Sequence, residues 1–164
     1  MRPPVPVIPS RLATVVLLLA ISDSAPTTAG QAAAHFGKWS LNVNRSVYSP
    51  GPPPRAQTRT YSSDGDRFKA VIETLQPLGT KTTAEYVARF DGKDYPVTGN
   101  SDVDTVALTR VDDLTFDATL KRRGKVVSTV RNAVSKDGTI MTITSKGTNA
   151  RGQPTSSVAL FFKQ

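Results

Sequence analysis

Cysteine is absent from this 164-residue chain, histidine occurs once, at His35, and glutamate twice, at Glu73 and Glu85. Without cysteine there is no disulfide, no thiol nucleophile, no thiolate zinc site and no lipid attachment through an N-terminal cysteine. That one histidine sits at the expected processing junction, which effectively excludes His-based triads and His-based metal sites. Aromatic residues make up 7% of the chain, too few for a base-stacking platform. No apolar run reaches the roughly 20 residues a membrane-spanning helix needs. Past the first 35 residues no window carries the 3.6-residue period of an amphipathic helix. No Gly-x-Ser-x-Gly elbow or phosphate-cradling glycine loop is present.

What is present begins with a leader. Arg2 and Arg11 flank a proline-rich start, and residues 12–21 form a short apolar run followed by small residues. Those are the parts of a secretory signal peptide. Residues 1–34 are therefore read as leader and small-residue linker, with cuts after Ser24, Ala29 or Ala34 as candidates; the last would leave His35 at the new terminus. The expected compartment is periplasmic or extracellular, and the expected domain is residues 35–164. A chain of that size buries a core without covalent staples.

Basic residues outnumber acidic ones 21 to 13. They are spread along the chain, which reads first as solubility and second as attraction to polyanions. The densest cluster is Lys121, Arg122, Arg123 and Lys125 around Gly124.

From residue 36 onward, short segments of alternating hydrophobicity are punctuated by turn residues. Gly and Asp recur at 64–66, 91–92 and 137–138, and Arg122, Arg123 and Gly124 make a further turn. Strands are expected at 36–43, 57–62, 67–75, 82–90, 94–98, 105–111, 114–120, 125–134, 139–146 and 158–162. Valine and threonine dominate them, as strands favour. Serial hairpins give an antiparallel up-and-down meander of about eight to ten strands, which closes into a barrel to remove its edges. A β-sandwich is the alternative, disfavoured because it needs long crossovers.

Strand parity gives the candidate ligand groups. Arg110 shares a face with Val106 and Leu108; Arg59 shares one with Gln57 and Tyr61; Tyr86 shares one with Ala84, Ala88 and Phe90. An arginine and tyrosines inside a barrel would orient an amphipathic ligand by an acidic head. Val126, Val130 and Val134 are expected together on an apolar face. Glu73 and Glu85 flank the turn at 77–79 and are weighed as a carboxylate pair, against the simpler reading as surface charge. The Asp64–Asp66 and Asp102–Asp104 pairs are too poor in oxygens for calcium, so no metal and no cofactor are expected.

Gly37-Lys38-Trp39, the domain length and the meander resemble the calycins, the lipocalins and fatty-acid-binding proteins. The resemblance implies a barrel closed at one end by Trp39, with Lys163 of the tail lying over its indole. Two departures stand out. The fatty-acid-binding branch carries a helix pair after its first strand, whereas residues 44–55 here are proline-rich. It also binds carboxylate through Arg-x-Tyr on its last strand, and residues 157–162 hold neither. The stretches at 92–99 (Gly-Lys-Asp-Tyr-Pro-Val-Thr-Gly) and 144–148 are more similar to a group of small exported bacterial proteins.

The function expected is an exported, monomeric carrier of a small apolar or amphipathic molecule, not an enzyme. It would have no specific nucleic-acid partner and no stable membrane insertion. A protein-interaction module with a closed core, and a polyanion binder acting through residues 121–125, are the alternatives.

Overall fold

The computed structural model describes residues 32–149 and 151–164; most of the segment expected to be a leader, residues 1–31, lies outside the described residues. Ten strands follow a single 3-10 turn, Ala33–His35: β1 Gly37–Ser49, β2 Ala56–Asp64, β3 Arg67–Leu75, β4 Lys81–Ala88, β5 Tyr95–Thr98, β6 Thr105–Arg110, β7 Thr115–Arg122, β8 Lys125–Val134, β9 Ile140–Thr148 and β10 Pro154–Lys163. Each pairs antiparallel with the next, and β1 pairs with β10, so the meander is a closed barrel. Closure leaves no edge strand and excludes the sandwich.

Alternate loops mark the two ends. One end is the mouth, edged by the β1–β2 connection and the β3–β4, β5–β6, β7–β8 and β9–β10 turns. The other is a floor, filled by aromatic rings. Phe68, Phe90 and Phe116 meet edge-on with centroids 5.4 Å apart, and Phe36 and Tyr61 extend the cluster through Phe68. Burying rings of this size stabilises by about 1.5–3 kcal/mol each. Ala32 and His35 are also buried there, so the barrel's packing takes in the 3-10 turn as well as the strands.

Trp39 is fully buried, and its indole Nε1–H donates to the His35 carbonyl at 2.7 Å. Lys163, directly opposite Trp39 in the β1–β10 register, places its ammonium 5.2 Å from the indole centroid. The cation–π cap that the calycin resemblance implied is therefore in place. Gly37 explains itself in the same contact. Its φ is +118°, and a Cβ there would stand 3.2 Å from the Lys163 Cε. The lysine stem crosses bare backbone on its way to the indole.

Two irregularities shift the strand parity. In β1, Asn42 faces Leu160 and Val47 faces Val158, so four residues of β1 stand against one of β10. Ser46 seals this bulge, its Oγ donating to the Asn42 carbonyl at 2.7 Å and accepting the Leu160 N–H at 3.0 Å. In β8, Leu120 faces Ser128 and Lys121 faces Val126, leaving Val127 as the extra residue. Val126 consequently turns outward and is 56% exposed, correcting the expectation that it shares the apolar face of Val130 and Val134. The bulged strand lies so close to β9 that a Cβ on Gly147 would fall 2.2 Å from the Val127 carbonyl oxygen.

Replacing Gly37 with alanine places a side chain in the left-handed region and against Lys163. A Gly37→Ala variant is expected to lose about 1–3 kcal/mol, measured by urea unfolding, and to expose the Trp39 fluorescence at lower denaturant.

Candidate functional site

Above the aromatic floor the barrel is hollow. A cavity of about 720 Å³ opens at the mouth and is bounded by side chains from six of the strands. Ala84 and Ala118 line it, together with Ile72, Leu120 and Val130. Ala70 and Ala88 instead lie in the floor layer, where they are fully buried.

One wall carries a connected polar cluster. Gln57 Nε2 donates to Thr74 Oγ1 at 2.9 Å, and Gln57 Oε1 accepts from Arg59 Nε at 3.0 Å. Arg59 Nη1 donates to the Tyr61 hydroxyl at 3.3 Å. The guanidinium also sits 5.3 Å from the Phe161 ring centroid. Gln57, Arg59 and Tyr61 come together because they sit at alternate positions of β2, which projects them to one side. β3 then brings Thr74 opposite Gln57, and β4 brings Tyr86 two strands across from Tyr61.

No carboxylate side chain among the described residues pairs with Arg59. Burial works against its charge, but the surrounding phenols of Tyr61, Tyr86 and Tyr48 outweigh that and hold its pKa above the ordinary value. The cation persists inside the barrel. Tyr86 is buried, and desolvation pushes its pKa well up, so it stays a neutral hydroxyl. Tyr48 is shifted upward for the same reason, partly offset by Arg59.

The structure thus joins Arg59, Tyr61 and Tyr86, and sorts the remaining candidates elsewhere. Tyr61 is buried beneath the guanidinium, while Arg59 and Tyr86 face the cavity itself. Arg110 does share the inward parity of Val106 and Leu108, but it lies at the floor end and is ion-paired with Asp113. It does not line the cavity. The basic hairpin is partly neutralised: Lys121 pairs with Asp94 at 2.8 Å and Arg122 with Asp102 at 3.2 Å. Asp104 meanwhile accepts the Arg123 backbone N–H. Glu73 faces Thr83 and Glu85 faces Val71, so the two glutamates are not directly opposed, and both are exposed. The Asp64–Asp66 turn is spent on ion pairs with Arg67 and Arg89.

Sequence parity missed Tyr48 and Asn132 as cavity residues. Tyr48 follows the β1 bulge, which reverses the inside–outside alternation set by Trp39 and Leu41. Asn132 carries no signal beyond its position between Val130 and Val134.

His35 occupies the floor, 4.7 Å from Phe116 between ring centroids. Both ring nitrogens and the Asn132 Oδ1 are buried without hydrogen-bond partners among the described residues. Desolvation lowers the His35 pKa to about 4, and nearby Arg110 and Lys163 add to the drop. The Asn132 backbone and Asp112 oppose it, the former without completing a hydrogen bond to either nitrogen.

No family model matches the chain, and no curated protein matches it. Among solved structures it is similar to a zebrafish ileal bile acid-binding protein complexed with cholic acid. The identity is 15% and the TM-score 0.48, over 80% of this chain and 99% of that one.

Folding favours neutral His35, whose unfolded pKa is near 6.5. Its contribution is complete above pH 6.5 and declines as pH falls toward 4. Urea unfolding should show a loss of about 2–3 kcal/mol between pH 7 and 4.5. A His35→Leu variant should lack that loss, since the floor aspartates with lowered pKa, Asp66, Asp91, Asp112 and Asp137, titrate below this window.

Proposed function

We propose that this protein is an exported carrier whose barrel holds one small amphipathic molecule, acid group down on Arg59 and carbon skeleton along the apolar wall. A single observation carries the reading: a guanidinium faces a 720 Å³ cavity with a phenol and an amide as its side-chain hydrogen-bond partners and, among the described residues, no acid paired with it, the acid that lines the cavity, Asp102, being ion-paired with Arg122. A half-buried cation without an acid partner loses part of its hydration, and a ligand carboxylate or sulfonate offsets that cost with charge-assisted hydrogen bonds. The Tyr86 hydroxyl stands in the same cavity as a neutral donor for the second oxygen of such a group.

Apolar surface supplies the affinity. Ile72, Ala84, Ala118, Leu120 and Val130 line the cavity and gain about 25 cal/mol for each Å² of ligand carbon they cover. The volume falls within the usual range for small-molecule sites. It also disfavours the alternative of an interaction module with a closed core. The apolar leader at the start of the sequence supports export.

The test is binding of a long-chain carboxylate and of the matching alcohol, read by displacement of an apolar fluorescent dye. An Arg59→Gln variant should bind the carboxylate about 10–100-fold more weakly and the alcohol nearly unchanged. Equal loss for both ligands, or no dye uptake by the parent protein, would refute the carrier reading.

A further inference from the structure

Charge in this barrel is segregated by end. Residues 32–164 hold 19 basic and 12 acidic residues, a net of +7. The five loops and strand ends that edge the mouth, residues 49–56, 75–81, 98–105, 121–126 and 146–154, hold eight of the basic residues and two of the acidic ones, Asp102 and Asp104. That is a net of +6. The middle of the wall and the whole floor end together contribute +1, because aspartates there are interleaved with the cations.

Six of the mouth cations, Arg55, Lys81, Arg123, Lys125, Lys146 and Arg151, are exposed and make no ion pair among the described residues. They are carried on four different hairpins or connections, so they encircle the opening instead of lining one groove. Between them stand two apolar side chains facing water: Leu78, 97% exposed at the tip of the β3–β4 turn, and Val126 on the β7–β8 hairpin across the barrel.

We propose that the mouth docks on the surface of an anionic phospholipid bilayer, with the lumen opening onto the lipid. Three features select a bilayer over a linear polyanion. A ring of cations meets a plane all at once, whereas a polymer strand crosses only part of it. Leu78 and Val126 find an apolar partner just beneath a headgroup layer, and a polyanion offers none. An amphiphile bound in the lumen partitions from the same surface, a point that rests on the reading of the cavity given above. Each cation near an anionic leaflet adds about a fivefold gain in binding, and the attraction fades beyond the screening length. Association is therefore peripheral and reversed by salt.

The experiment is flotation of the leader-free protein with vesicles of phosphatidylcholine, or of phosphatidylcholine doped with phosphatidylglycerol, across a salt series. Binding is expected to the doped vesicles alone and to fall steeply with salt. A Lys81→Ser/Arg123→Ser/Lys125→Ser variant should bind about a hundredfold more weakly. Leu78→Asp should weaken it further. A floor-end control, Lys38→Ser/Lys93→Ser/Lys136→Ser, removes the same charge and should leave flotation unchanged.

Equal flotation of both triple variants would overturn the proposal, because net charge and not the mouth would then govern. Retention on a sulfated polysaccharide without vesicle binding would overturn it in favour of a polyanion. Arg59→Gln separates the two readings: it should abolish carboxylate preference in the lumen yet float like the parent. If dye uptake fails while mouth-dependent flotation persists, the carrier reading falls and the docking surface stands.

Discussion

Pairing of β1 with β10 turns a meander into a cylinder, and everything else in the molecule depends on that join. It is made at the floor end by Trp39 opposite Lys163, with the lysine laid over the indole and Gly37 cleared of a side chain beneath the lysine stem. Once the cylinder is closed, alternate side chains of every strand point inward. The lower half fills with aromatic rings and the upper half stays open. An arginine on β2 then has nowhere to go but the interior.

The floor and the lumen carry opposite solutions to the burial of a polar group. His35 sheds its charge on burial, held neutral by desolvation among Phe116 and the cations Arg110 and Lys163. Arg59 keeps its charge and is supported by Gln57, Tyr61 and the Phe161 ring. The difference follows from the side chains themselves: imidazole deprotonates readily, guanidinium does not. The first arrangement ties stability to pH, and the second leaves a permanent positive site in the cavity.

Much of this was legible in the alternation of residues. The strands at 67–75 and 125–134 were bounded correctly, and Arg59, Tyr61 and Tyr86 did converge. What parity could not show was depth and irregularity. Arg110 points inward as expected but at the level of the floor, because strand position along the axis depends on register with Phe116. Tyr48 and Val126 each lie past a bulge, and an odd number of uncounted residues reverses every side chain beyond it. The charge segregation was hidden for a different reason. Basic residues are scattered evenly along the sequence, and only the up-and-down path gathers alternate loops at one end.

The ladder around the wall is uneven. β2 and β3 are paired through nine residues, but β1 and β2 through only four, and β5 through two with each of its neighbours, β4 and β6. Those thin seams leave two unequal staves, with β5 as a narrow strip between them on one side. The narrower one, β2–β3–β4, holds Gln57, Arg59, Tyr61 and Tyr86; the broader one holds Ala118, Leu120 and Val130. Parting the staves costs few backbone hydrogen bonds, so the bore of this barrel is adjustable. The polar and apolar walls can change their separation as stiff panels without either being rebuilt.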